Sequence, residues 1–530
     1  MNIVVEFWWM KPWFKRLQRF NPKNSPIFIT RIFKKVNLRF GLAFFLFLIF
    51  SFPSQAYLQF DSNSIQAYSS LWNLELGKSR KLIDLEKVKA PNNHIIALLE
   101  NYQAFFKVFT DESPENYQNF KTQCSQDLET LESESKTNSP LFLYSKSCIH
   151  LESAIIRAKF QDYWSAAFEL RRSFFEIQQN KTRFPNFNPN DTYLGIIESL
   201  LGSLPNSLKF ILGPLGLKGN VNQGLNELEK NMVSLRKGPF SFLYPETSLY
   251  YTYLSASLEP SQKTYQELIG DNNFIEERSL VKTYVNAWIA LKKYQNEAAI
   301  QLLKSRPFGA DYQNFPFLDY LLGIAYLNKL DPEAIPYLQK FLKNSANRNF
   351  KWDTYLKLSW AYSLSGKNEL AKEYFSHIPY WGQDPSTEKD KQALREYAQG
   401  IPNKSLLEIR LQFDGGYWIS CLDRINQIDS TKLINLKERL EFVYRKARIF
   451  EGLEKYPSSI FFHQKCVELG SNSPYYFSAN SSLHLGLIYE KLHKDHLAKT
   501  SFENCLKMNE KEFKSSIDQE AQNGINRLKK

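Results

Sequence analysis

Five cysteines and seven histidines are all that the 530 residues offer of the usual metal and redox ligands. An odd, sparse set of thiols (Cys124, Cys148, Cys421, Cys466 and Cys505) is not a disulfide framework, although Cys124 and Cys148 stay open as a pair that an oxidising compartment could bridge. Only His493 and His496, in HKDH, stand close together, and no further ligand lies at usable spacing, so no metal site is expected. The chain lacks H-E-x-x-H, G-x-S-x-G and C-x-x-C, and its carboxylates are scattered along charged faces instead of paired for acid and base work. No catalytic residue and no cofactor site is nominated, and the chain reads as no enzyme.

Long apolar runs are also scarce. The one that stands out is FGLAFFLFLIFSF, Phe40 to Phe52, shorter than the roughly 18 to 20 residues that cross a bilayer. Nine Lys/Arg against the single acid Glu6 precede it, and Ser54-x-Ala56 follows. This is the pattern of a secretory signal peptide cleaved after Ala56; the alternative is an uncleaved N-terminal anchor. The expected location is therefore exported, periplasmic or cell envelope, and a mature start at Tyr57 excludes a bacterial lipoprotein, which needs cysteine there. The formal charge of +12 is concentrated in this leader and falls to about +4 beyond it. No nucleic-acid partner is expected from so ordinary a balance.

Aromatic residues, by contrast, are abundant: 41 Phe, 29 Tyr and 10 Trp, spaced as helix packing residues are. Several segments also repeat. Leu318–Leu342, Tyr355–Ile378, Tyr444–Gly470 and Leu483–Asn509 align with a small residue on a first helix and another on a second. Ser359 and Ala371, Ala447 and Ser459, and Gly486 and Ala498 are each twelve apart, while Gly323 and Ala334 are one closer. An aromatic follows the first small residue by three: Tyr326, Tyr362, Phe450 or Tyr489. The first small positions, Ala287, Gly323, Ser359, about Ile409, Ala447 and Gly486, step by 36, 36, 50, 38 and 39. Two antiparallel helices approach closely only where side chains are small, so the period predicts stacked helix pairs. The long step, His377–Lys404, holds a loop and a spacer helix.

These segments resemble tetratricopeptide repeats over roughly residues 280 to 510. The resemblance implies an all-α, helix-turn-helix superhelical repeat array that binds a protein segment on a concave surface, with Tyr326, Tyr362 and Tyr489 of the first helices lining it. Cys421, Cys466 and Cys505 fall at small positions of second helices and read as buried packing thiols. The expected organisation is 1–56 leader, 57–190 degenerate helical repeats, 191–237 apolar helical insert, and 238–400 and 401–530 tetratricopeptide-like repeats. The function implied is an exported, non-enzymatic scaffold or adaptor with protein partners. The alternative is a binder of glycans or other small ligands, similar to the helical outer-membrane glycan-binding lipoproteins of starch-utilisation systems, with Trp352, Trp360, Tyr380 and Trp381 as its aromatic patch.

One stretch departs from its surroundings, SLLGSLPNSLKFILGPLGLKGN, Ser199 to Asn220. It has glycines without the Gly-Lys-Ser/Thr ending or the preceding strand of a phosphate loop. Its prolines read as helix punctuation: a helix capped by Asp191, a short one from Pro205 to Gly213, and a third after Gly219 with Leu225, Leu228, Met232 and Leu235 as its stripe. An interfacial hairpin with peripheral membrane contact is the alternative. Together with GLNEL and LYPETSLYYTYL, about 60 residues here resemble the eukaryotic inclusion-body clearance family of tetratricopeptide proteins, which implies architecture only.

Overall fold

The computed structural model describes residues 57–133, 138–204, 217–258, 263–346, 349–381, 387–509 and 512–528. Among them there is one isolated bridge, Tyr57 to Asn93, and no strand; the fold is all-α. The leader, and the short helix expected from Pro205, lie outside the described residues. The chain divides into two compact units, one formed by residues up to Lys282 with Pro307–Asn314, the other by Thr283–Arg306 with Phe315 onward.

The first unit stacks antiparallel pairs: α1 (Ser62–Trp72) on α2 (Leu76–Lys89), α3 (Ile95–Asp111) on α4 (Pro114–Glu132), α5 (Pro140–Lys159) on α6 (Tyr163–Arg183) and α7 (Pro189–Ser203) on α8 (Val221–Leu235), followed by α9 (Tyr244–Leu258) and α10 (Tyr265–Ile269). α7 and α8 approach through facing glycines: a Cβ on Gly195 would stand 2.8 Å from the Gly224 carbonyl oxygen, and one on Gly224 2.5 Å from that of Gly195. The expected stripe Leu225, Leu228, Met232 and Leu235 is buried. The expected cap at Asp191 is corrected: Pro189, whose missing N–H suits a first helical position, starts the helix after Asn188, and Asp191 sits in the first turn, paired to Lys181 at 2.7 Å.

The second unit contains α11 (Leu280–Lys292) and α12 (Asn296–Lys304), α13 (Phe317–Asn328) and α14 (Ala334–Asn344), α15 (Lys351–Leu364) and α16 (Asn368–Ser376), the spacer α17 (Glu388–Gln399), α18 (Lys404–Asp414) and α19 (Trp418–Asn426), α20 (Leu436–Gly452) and α21 (Tyr456–Gly470), α22 (Phe477–Lys491) and α23 (Asp495–Leu506), and a last helix α24 (Lys514–Arg527). Tyr294, Leu330, Gly366, Gly416, Glu454 and His493 have φ between 55° and 81°, and each lies seven residues after a first small position. Leu74 and Gln161 of the first unit do the same after Ala67 and Ala154, with φ of 61° and 66°. At all eight turns the amide after the left-handed residue donates back across it to the first helix, as Asp331 to Tyr326 at 3.0 Å, Lys367 to Tyr362 at 2.9 Å and Glu75 to Ser70 at 2.9 Å. This closes the helix end with a left-handed residue and uses an otherwise orphaned carbonyl. The aromatic column of the sequence is thus the residue whose carbonyl accepts that bond.

Only two of the eight turns use glycine, although a left-handed conformation costs other residues about 1 kcal/mol. His493→Gly is therefore expected to raise the unfolding midpoint, by up to about 1 kcal/mol in a thermal melt; a metal-binding role would instead make the change costly.

Candidate functional site

The helix contacts are built from the small positions. A Cβ on Gly323 would stand 2.7 Å from the Leu338 side chain, and one on Gly486 2.4 Å from Phe502, so these helix pairs meet where only hydrogen fits. Second-helix polar side chains at the contact donate to the facing carbonyl: Ser459 Oγ to Ala447 at 3.0 Å and Cys421 Sγ to Ile409 at 3.5 Å. One repeat apart, Cys466 donates to Leu440 at 3.8 Å and Cys505 to Ala479 at 3.3 Å. All five cysteines are buried and free, Cys124 and Cys148 among them. Burial pushes the thiols of Cys421 and Cys466 up to about 12 and 11, so neither is a nucleophile at neutral pH.

In the second unit the first helices, with the spacer α17 and the second helix α21, bring charged side chains together. The Lys357 ammonium lies 3.7 Å and the Arg410 guanidinium 4.9 Å from the ring centre of Trp360, and Arg410 pairs with Glu396 at 2.7 Å. Burial alone would raise the Glu396 pKa; the Arg410 charge and hydrogen bond, with Lys357, overcome it and hold the carboxyl at about 2. Burial lowers Lys357 to about 8. On α20, Arg445 pairs with Glu441 at 3.2 Å and Arg448 with Glu451 at 3.0 Å. His484 is 3.1 Å from Glu451, and His463 stacks on His484 with ring centres 5.6 Å apart. Burial lowers His463 to about 4, leaving it neutral, and neither of its ring nitrogens is hydrogen-bonded. At the edge of this layer Lys292 is exposed, yet it is desolvated by the protein around it and repelled by Lys293 enough to fall to about 8. Arg395 lies 4.8 Å over the Phe513 ring with its Nε and one Nη unbonded. Such an arrangement can hold and present charge; no hydroxyl or thiol is hydrogen-bonded to either of these histidines among the described residues.

Tyr326, Tyr362 and Tyr489 do not meet at one site. Each ring is about nine-tenths buried: Tyr326 stacks on Tyr337 at 5.6 Å and Tyr362 on Tyr374 at 5.1 Å. The hydroxyls of Tyr362 and Tyr489 accept from Gln339 and Gln464, each on the second helix of the preceding pair. Of the aromatic patch considered for glycans, Trp352 and Trp360 are buried, which removes them from any surface; the side chains of Tyr380 and Trp381 lie outside the described ones. Among the described residues no three His, Cys, Asp or Glu are placed to hold a metal ion, and no helix is long and apolar enough to cross a membrane.

The first unit holds a cluster that sequence reasoning missed. The Glu246 carboxylate on α9 accepts from Tyr193 at 2.7 Å, from Tyr102 at 3.0 Å and from Tyr68, all fully buried. The donors come from three different helices, so no local pattern announces them. Burial raises Glu246 to about 7 in spite of the three hydroxyls. Glu152 on α5 is buried with both oxygens unbonded; its burial, and the nearby charge of Glu246, push its pKa well above the usual carboxylate range.

Residues 479–512, which hold α22 and α23, match the family model described as Tetratricopeptide repeat. No curated protein matches the chain. Solved structures that are similar include yeast Tom70, at 12% identity over 88% of each chain with a TM-score of 0.24, and the APC/C hetero-tetramer Cut9-Hcn1, at 14% identity over 89% of this chain and 99% of that one with a TM-score of 0.19. Scores this low describe helical chains of comparable length and no more. The pair matched by the family model, a tetratricopeptide repeat over residues 479–512, shares its left-handed turn, its cross-turn hydrogen bond and its period with its neighbours.

Proposed function

We propose that the protein is an exported, non-enzymatic scaffold of the cell envelope that takes up a charged segment of a partner protein along the first-helix side of its second unit. The observation that carries this reading is the repeat register itself, which lines first helices side by side and, with Arg395 and Glu396 of the spacer α17, gathers Lys357, Arg410, Glu441, Arg445, Arg448 and Glu451 into one layer. Except for Arg445, which is buried, these groups keep partial solvent access, so a partner can exchange its own charges for the existing pairs. Lys292 and Arg395, the least compensated, form the entry.

Affinity capture from the envelope fraction tests this. The double variant Lys292→Glu/Arg395→Glu is expected to lose the captured partner at least tenfold, and Lys499→Glu on the exposed face of α23 to keep it. Equal capture by both would remove the first-helix side as the docking surface. For location, sequencing of the purified protein's N-terminus is expected to begin at Tyr57, and an intact leader in the membrane fraction would replace export with anchoring.

A further inference from the structure

A cavity of about 370 Å³ opens in the first unit where α6, α7 and the start of α8 meet, and charged groups on its walls find no counter-charge in the protein. Phe174 of α6 supplies a ring, Glu198 of α7 a carboxylate, and Lys218, Asn220 and Gln223 the edge at α8. α7 and α8 meet at this edge without slack, because a Cβ on Gly219 would stand 2.6 Å from the Gly202 amide nitrogen. The walls are therefore fixed. One oxygen of Glu198, Oε2, is enclosed and accepts no hydrogen bond, while Oε1 accepts a long one, 3.4 Å, from the Gln223 amide. The same Gln223 nitrogen donates at 3.3 Å to Glu227, one turn further along α8. A neutral amide thus stands between two carboxylates. Among the described residues no cation lies within ion-pair reach of either, and no acid within reach of Lys218, which is exposed at the edge of the cavity. Burial and the Glu227 charge raise Glu198 to about 7, as befits a carboxyl that lacks a counter-ion. Asn220 caps α8 and so sets the positive end of that helix at the same wall.

We propose that this cavity binds a free α-amino acid with an apolar side chain. The ligand's ammonium group takes the place of the Gln223 amide between Glu198 and Glu227 and gives Glu198 Oε2 the donor it lacks, while its carboxylate meets Lys218 and the positive end of α8. The side chain lies against the Phe174 ring. The volume stands at the small end of the about 300–1,000 Å³ typical of small-molecule sites, which suits a ligand of this size better than a chain segment. A purely cationic ligand would leave Lys218 beside a like charge, and a purely anionic one would add a third negative charge to the two carboxylates. Only a zwitterion answers both sets of groups. The site lies in the first unit and is independent of the partner-segment reading, which concerns the other unit.

Calorimetric titration of the purified full chain with L-leucine tests this, alongside isoamylamine, which lacks the carboxylate, and 4-methylpentanoate, which lacks the ammonium group. Leucine is expected to bind with a Kd of about 1 mM or tighter, and each analogue about tenfold more weakly or not at all. Glu198→Gln is expected to weaken leucine by about tenfold. Lys218→Gln is expected to do the same to leucine while leaving the residual binding of isoamylamine unchanged, a split that a merely structural role would not produce. Lys499→Gln, in the second unit, is expected to change neither. The proposal is overturned by no heat with leucine or L-phenylalanine at about 10 mM. It is overturned equally by isoamylamine binding as tightly as leucine, which would assign a cation site, by 4-methylpentanoate doing so, which would assign an anion or apolar one, or by leucine binding that survives both first-unit substitutions.

Discussion

Glu246→Ala is expected to destabilise the first unit by about 3–5 kcal/mol, read as a fall in its thermal or urea midpoint. The substitution removes the acceptor of the Tyr68 hydroxyl in a place water does not reach and leaves Tyr102 and Tyr193 only the 2.7 Å bond to each other, each lost bond costing about 1 kcal/mol or more, and it leaves a cavity besides. Domain stabilities are only about 5–15 kcal/mol, so this is a large fraction of the whole. Tyr193→Phe removes one donor and is expected to cost about 1 kcal/mol. The cluster also sets a pH dependence. Burial raises Glu246 from 4.5 to about 7, so the folded state holds this proton more tightly than the unfolded state does. Its contribution is full below pH 4.5 and is lost as pH rises through 7. Asp127, raised by burial from 3.8 to about 7, acts in the same direction. The unfolding midpoint of the first unit is expected to fall between pH 5 and 8, and Glu246→Gln to flatten part of that slope.

The second large effect is expected at the helix contacts. Ala371 and Ala498 are 1% and 0% exposed and sit where two helices cross. Either residue changed to Trp overpacks a contact with no free volume, at a cost of about 1–3 kcal/mol or more in urea denaturation. The expectation is specific to the register, because Trp at Lys372 or Lys499, one residue on and exposed, is expected to be nearly neutral. Tolerance of Trp at both alanines would mean that the small residues are not where the helices meet.

The repeat was legible because small residues and aromatics recur at fixed spacing, and even Cys421, Cys466 and Cys505 were placed by it. The turn was legible only at Gly366 and Gly416. At Leu74, Gln161, Tyr294, Leu330, Glu454 and His493 the helix-ending hydrogen bond imposes the same left-handed backbone on residues whose type does not ask for it. For this reason the pairs around Ala67 and Ala154 looked degenerate in sequence and are regular in structure. Tyr326, Tyr362 and Tyr489 were legible as a column but not as buried, since their rings are enclosed in packing, those of Tyr362 and Tyr489 against second helices of preceding pairs. The Glu246 cluster was illegible because Tyr68 and Glu246 are 178 residues apart, and only stacking of the first helices joins them.

The central claim is that one register runs through pairs in both units, including those whose sequence departs from the family. Disulfide trapping in the first unit tests it most directly. Ala67→Cys with Ser79→Cys, at buried positions twelve apart as at the contacts of the matched repeat, is expected to bridge on mild oxidation, whereas Ala67→Cys with Ile83→Cys, one turn on, is not. A bridge at 67–83 and none at 67–79 would contradict the shared register, and with it the extension of the repeat to the N-terminal half of the chain.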